Sequence, residues 1–183
     1  MKRIDFNYSF PGFDDNEDIL LDTGVILALL NKYDAWHTTV KNLFDNFIFN
    51  EGSNLYLYIH SGIINEVTFL SDKPLKQYML KHGLRFTQEE IQDAISSTIL
   101  GIRELVEKEF LLILDSNTNS ILKQIDHSQY FGSMDALTIS LAEEYGISLL
   151  TVDRKLIENI ENKKDDFVNI QNVYYSTSGY RDY

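Results

Sequence analysis

Four carboxylate residues occupy positions that a parallel α/β sheet would bring together. Asp22 and Asp153 each follow a short apolar run of the kind that forms a buried strand, and Glu66 and Asp135 each lie in the first turns of a predicted helix. The carboxyl ends of parallel strands and the starts of the helices that follow them meet at one edge of the sheet. We therefore predict that the four carboxylates converge at this edge, although they come from distant parts of the chain.

Such a cluster would repel itself unless its members took up protons or bound cations. The chain contains no cysteine, which excludes thiolate metal sites, and an all-oxygen ligand set favours Mg²⁺ or Mn²⁺. A divalent ion held by carboxylates suits phosphodiester hydrolysis, because it neutralises phosphate charge and lowers the pKa of a bound water. Water is the expected nucleophile, since the sequence shows no Ser/His/Asp arrangement. His37, His60 and His127 lack ligand spacing and are predicted to be structural or exposed.

Each acid also has a simple structural explanation. An Asp directly after a strand, such as Asp22, is most often the cap of the next helix, and Thr23 could cap the same helix through its hydroxyl. Asp135 near a helix start is favoured by the helix dipole. Glu66 alone would be a solvated helix residue, and Asp153 could begin a turn. Only the joint pattern indicates a functional site.

Strands and helices alternate along the chain. The predicted strands cover residues 19–21, 55–59, 110–114, 148–152 and 167–175. This alternation predicts a three-layer α/β/α fold with a mostly parallel sheet of about five strands. Residues 1–18 are predicted to form an irregular N-terminal arm, residues 19–175 the domain, and residues 176–183 a C-terminal tail.

Four segments resemble, in the same order, the motifs of PIN-domain ribonucleases. The first is an Asp-Thr pair followed by an apolar helix, and the second ends in an acidic helix residue. The third is an Asp-Ala pair that opens an apolar helix, and the fourth is a strand followed by Thr, any residue and Asp. They cover residues 22–30, 60–67, 134–142 and 149–155. Because the set spans nearly the whole chain, the resemblance implies a PIN-like fold.

The resemblance also implies an activity and a set of roles. Asp22, Glu66, Asp135 and Asp153 would be the catalytic residues that hold the metal. The hydroxyls of Thr23 and Thr151 would orient carboxylates or water. The implied activity is metal-dependent endonucleolytic cleavage of RNA that leaves a 5′-phosphate.

The resemblance further implies partners besides the RNA substrate. Bacterial members of this size are often the toxins of toxin–antitoxin pairs of the VapC type. Such toxins commonly form homodimers and are silenced by a cognate antitoxin. The implied partners are therefore an antitoxin protein and a second copy of the chain.

The net charge of −12 is unusual for a protein that binds a polyanion. A local group of cations offsets it, and we interpret this group as phosphate contacts. Its members are Lys73, Lys76, Lys81, Arg85 and, beside the fourth motif, Arg154. The alternative is an ordinary solvated helix face.

Other functional classes fit less well or remain open. Haloacid-dehalogenase phosphatases need a second Asp two residues after the first, where this chain has Gly24, and no Gly-rich phosphate loop is present. A catalytically inactive PIN-like binding module, acting through protein–protein contacts, is the remaining alternative. Residues 1–7 lack the apolar segment of a signal peptide, so we expect none, and no apolar run is long enough to span a membrane. We therefore expect no membrane contact and a cytoplasmic location.

Overall fold

The computed structural model describes residues 1–8, 10–50 and 54–176, which contain a sheet of six parallel strands. The strands are β1 Lys2–Asp5, β2 Asp18–Leu21, β3 Tyr56–Ile59, β4 Leu112–Ile113, β5 Ser148–Thr151 and β6 Asn172–Tyr175. Their order across the sheet is β4-β3-β2-β5-β6-β1, and every neighbouring pair is parallel. The predicted α/β/α architecture is confirmed, with six strands where about five were expected.

Helices connect most of the strands and cover both faces of the sheet. They are α1 Thr23–Leu30, α2 His37–Leu43, α3 Ser61–Leu70, α4 Lys73–His82, α5 Gln88–Glu107, α6 Thr118–Phe131, α7 Ser133–Tyr145 and α8 Arg154–Asn162. A π-helical turn, Phe44–Ile48, continues α2, and a 3₁₀ turn, Lys164–Asp166, follows α8. Within the described ranges, no helix combines the length and the apolar character needed to cross a membrane.

The alternation of side chains along β2 divides the apolar interior into two cores. Ile19 and Leu21 point to one face, where they pack with apolar residues of α1, α2, α3 and α5. Leu20 points to the other face, where it packs with residues of α7 and α8. A strand that is buried on both faces reads as a continuous apolar run, which is why its sequence predicts it clearly. The helix α3 therefore lies on one face of the sheet and α7 on the opposite face.

The N-terminal segment, predicted to be irregular, contains a strand. β1 pairs with β6 from Lys2, opposite Asn172, to Asp5, opposite Tyr175. Its sequence is mostly polar because it lies at the edge of the sheet and is only partly buried. β1 is a strand because it pairs with β6, which lies 170 residues further along the chain. The local sequence pattern therefore could not predict it. The predicted C-terminal tail lies outside the described residues from position 177 onward.

A buried carboxylate, Glu17, ties the same segment to the amino ends of the central strands. Its side chain is only 5% exposed. It accepts hydrogen bonds from the hydroxyls of Ser148 and Tyr174, the latter at 2.7 Å, and from the side-chain amide of Asn172 at 2.8 Å. Burial and this carboxylate raise the pKa of Tyr174, which therefore stays a donor. The network links β2, β5 and β6 at the edge opposite to the predicted site.

We expect Glu17→Gln to lower the free energy of unfolding by about 1 to 3 kcal/mol. The amide would turn a donor toward groups that already donate, and a buried group left unsatisfied costs about this much. Asp15→Asn, an exposed substitution in the same segment, is the control and should change little. Urea unfolding of the three proteins measures the difference. Equal stability of the two variants would contradict a role for the network.

Candidate functional site

The site predicted from sequence lies where the order of the strands reverses. From β2 the chain moves outward to β3 and β4, and then returns to place β5 on the other side of β2. A crevice forms at the carboxyl ends of the strands at such a point, and open α/β sheets bind ligands there. Asp22 directly follows β2, and Asp153 lies just beyond β5.

Asp22 is held in one orientation by two donors. The carboxylate is 6% exposed and caps α1. One oxygen accepts the Thr23 N–H at 2.7 Å and the other accepts the Thr151 hydroxyl at 2.7 Å. Thr151 in turn accepts the backbone N–H of Asp153 at 3.0 Å. A single hydroxyl therefore joins the acids that follow β2 and β5.

Glu66 is connected to the same crevice through Thr23. The Thr23 hydroxyl donates to a Glu66 carboxylate oxygen at 2.7 Å and thereby links α1 to α3. The expectation that this hydroxyl caps α1 is wrong, because Asp22 is the cap and Thr23 is the first helical residue. The hydroxyl is thus available to a carboxylate that lies far away in sequence.

Asp153 has a structural role that needs no ligand. It is exposed and caps α8, where one carboxylate oxygen accepts the N–H groups of Lys155 at 2.7 Å and Leu156 at 3.1 Å. This accounts for one of its oxygens. The charge of Asp153 nevertheless reaches the crevice, since it raises the pKa of Asp22 and of Asp135.

Asp135 is the least satisfied of the four carboxylates. It is half-buried in the first turn of α7, and no donor from the described residues reaches it. Burial, together with the charges of Asp22, Asp153 and Glu66, raises its pKa to about 7. The positive charge of Lys155 has a weaker effect and lowers the pKa of Asp135. The helix dipole favours an acid here, but it does not explain three other carboxylates within electrostatic range.

The pKa of Asp22 is also raised by its surroundings. Burial and the charges of Asp153 and Glu66 together raise its pKa to about 6, against the opposing effect of the hydrogen bonds from Thr151 and Thr23. The carboxylates therefore destabilise one another in their ionised forms. A bound cation would remove this repulsion.

The donor set fits a hard divalent cation, although no ready-made cage is present. In the part of the chain that the structure describes, no three His, Asp or Glu side chains form a group able to hold a metal ion as they stand. The groups facing the crevice offer only oxygen, which suits Mg²⁺ or Mn²⁺ better than zinc. Mg²⁺ commonly needs one or two carboxylates and completes its shell with water and substrate phosphates, so a closed cage is not required.

The predicted phosphate-binding cations lie on the surface that follows α3. Lys73, Lys76 and Lys81 belong to α4, Arg85 lies in the next loop, and all four are exposed. Lys76 pairs with Asp72. The fifth cation, Arg154, is exposed on α8 and pairs with Glu158 at 2.8 Å. None of the five appears among the charges that shift Asp22 or Asp135.

His60 is a residue whose place the sequence left undecided between structural and exposed. It directly follows β3, is 1% exposed, and contacts the hydroxyl of Thr138 in α7 through Nε2 at 3.0 Å. No hydrogen-bond partner for its Nδ1 is found among the described residues. The sequence did contain one indication that His60 lies at this edge of the sheet. His60 directly follows a predicted strand, as Asp22 does.

Scans of the sequence against protein-family models and against curated proteins give no match. The resemblance to PIN-domain ribonucleases therefore stays a prediction that rests on the four motifs.

We expect Asp135→Asn to stabilise the metal-free protein at pH 8. The folded-state pKa is raised from its ordinary value of 3.8 to about 7, so this group destabilises the wild type progressively as the pH rises from about 4 to 7. Asparagine removes the charge and should raise the free energy of unfolding by about 1 to 3 kcal/mol at pH 8, after allowance for solvent screening. Little difference is expected at pH 4.

Denaturant unfolding in EDTA at the two pH values measures this effect. Asp126→Asn, an exposed carboxylate of α6, is the matched control. A gain that is the same at both pH values, or the same in the control, would show that Asp135 is not repelled by the cluster.

Proposed function

We propose that this protein is a metal-dependent endoribonuclease. The observation that carries the proposal is Asp135, a half-buried carboxylate that no donor among the described residues reaches. Its pKa is raised by burial and by three carboxylates from separate segments of the chain. A protein that only needed a stable fold would gain stability by losing this charge. Activity that needs a cation gives a reason to keep it.

The burial and the hydrogen bonds of each residue of the site indicate the role that it would have. Asp135 and the free lone pairs of Asp22 and Glu66 would hold Mg²⁺ or Mn²⁺, and Asp153 would add charge from the rim. When bound, the ion supplies an activated water and stabilises the leaving oxygen of a phosphodiester. Thr151 and Thr23 keep Asp22 and Glu66 in fixed orientations, which limits the reorganisation needed when substrate arrives.

The predicted phosphate-binding cations of α4, the loop after it and α8 support RNA as the substrate. They are exposed, and the ion pairs of Lys76 and Arg154 are of the surface type that contributes little to stability. Phosphate groups can therefore replace the carboxylate partners at small cost. A toxin role in a toxin–antitoxin pair, with an antitoxin and a homodimer, follows from the motif resemblance and extends this proposal. A binding module without activity is the alternative, and it predicts no ion binding and no cleavage.

We expect purified protein to cleave a mixed RNA pool in Mn²⁺ and to lose this activity in EDTA. Asp135→Asn should lower the rate by at least about 100-fold, because even residues that only support metal ligands cost about 10- to 100-fold. Asp126→Asn should cleave like the wild type. Calorimetry with Mn²⁺ completes the test. Absence of both cleavage and Mn²⁺ binding in the wild type would favour the binding module.

We expect the double substitution Lys73→Gln and Arg85→Gln to raise KM for RNA and to leave kcat nearly unchanged. Each cation that contacts a phosphate contributes about 0.7 to the slope of log affinity against log salt for a single strand, so the slope should fall. Lys164→Gln, an exposed cation in the turn before β6, is the control. A fall in kcat with an unchanged salt slope would place the RNA elsewhere.

A further inference from the structure

The two helices that carry Glu66 and Asp135 lie on opposite faces of the sheet. Ile63 and Val67 of α3 belong to one apolar core, and Ile139 of α7 belongs to the other. The starts of the two helices can approach each other only over the carboxyl edge of the strands. Their separation is therefore not set by either core alone.

A hydrogen bond from the cap of α3 to α7 spans this edge. His60 caps α3, and its Nε2 lies 3.0 Å from the Thr138 hydroxyl. Among the described residues, no other hydrogen bond joins the segment His60–Leu70 to α7. Thr138 lies one turn beyond Asp135, so the bond ends beside the carboxylate that the site depends on.

The geometry also assigns the donor. The Thr138 hydroxyl donates its proton to the Met134 carbonyl at 3.1 Å, so it must accept from His60. His60 is therefore the neutral tautomer with the proton on Nε2, which leaves Nδ1 as an acceptor without a partner in the part of the chain that the structure describes. Burial agrees with this assignment, because it lowers the pKa of His60 to about 4. An acceptor left unpaired is a smaller cost than a buried N–H left unpaired.

The first turns of the two helices touch at a glycine. A Cβ at Gly62 would lie 2.8 Å from the Met134 sulfur and 2.9 Å from His60 Nδ1, closer than real side chains approach. The absence of a side chain at this position lets the start of α7 lie against the start of α3. The contact and the hydrogen bond together clamp the two helices at their amino ends.

We propose that His60 is a positioning residue for the metal site. Through Thr138 it fixes the start of α7 against the start of α3, and it thereby holds Asp135 in place relative to Glu66. This inference rests on the proposed function, because it concerns the placement of two of its carboxylates. It adds a residue pair that makes no contact with the ion or the substrate.

The test uses matched substitutions of two buried threonines. Thr138→Val removes the hydroxyl with little change of shape, and Thr138→Ser keeps it. Thr98 in α5 is the control, since its hydroxyl likewise donates to the carbonyl of Ala94 and accepts from the amide of Asn31. Both threonines are buried, but only Thr138 contacts His60. Thr98→Val therefore reports what the loss of such a hydroxyl does to the protein in general.

Two measurements are made on all variants, both independent of RNA cleavage. The first is Mn²⁺ affinity by calorimetry, which should fall about 10- to 100-fold in Thr138→Val and stay within about threefold in Thr138→Ser and Thr98→Val. The second is NMR of the metal-free protein. The nuclear Overhauser effect between Gly62 and the Met134 side chain, and the ¹⁵N signature of the Nε2–H tautomer of His60, should persist in Thr138→Ser and Thr98→Val and change in Thr138→Val.

The outcomes separate this inference from the proposed function. Equal Mn²⁺ affinity in Thr138→Val and wild type, or equal losses in Thr138→Val and Thr98→Val, would overturn the positioning role while the nuclease proposal stands. A wild type that binds no Mn²⁺ would overturn the proposed function. If the wild type binds no Mn²⁺, the NMR result still tests the link between the two helices. An unchanged Gly62–Met134 contact in Thr138→Val overturns that link, and a lost contact supports it.

Discussion

The parallel pairing of β2 with β5 is the constraint on which the rest of the site depends. It places the ends of two strands that are distant in sequence side by side, so that one hydroxyl, Thr151, contacts both Asp22 and the backbone of Asp153. Burial and the charges of the neighbouring carboxylates raise the pKa values of Asp22 and Asp135. The fold thus holds charges in a place where they cost stability, and the two apolar cores on the faces of β2 offset that cost.

The same arrangement shows how hydroxyl groups serve a carboxylate cluster. Thr23 and Thr151 each donate to one acid and neither carries charge, so they fix orientation without neutralising the site. A lysine donor would instead bring a positive charge to the carboxylate, where it would compete with a bound cation. Neutral donors leave the negative potential of the crevice intact, which suits a site that recruits a divalent ion.

Sequence patterns predicted the features that are local. The apolar runs of β2, β3 and β5 each depend on a few neighbouring residues, and the strands that they predict are present. β1 and the bond between His60 and Thr138 depend on partners far away in the chain, and single-sequence patterns carry no information about such partners. The four acids were found because their positions relative to strands and helices are local, although their convergence is not. That they bind metal and cleave RNA stays a proposal.

The Glu17 network has a consequence for how the chain becomes folded. Glu17 is separated by 155 and 157 residues from Asn172 and Tyr174, and its side chain cannot be satisfied until both have been synthesised. Contacts of such long range make folding slow, because the closure of large loops precedes the gain from the contacts. On a ribosome, β1 would stay unpaired until β6 has been synthesised, and Asp153 would join the other acids of the crevice only once β5 has formed. Assembly of the complete site is therefore a late step in folding.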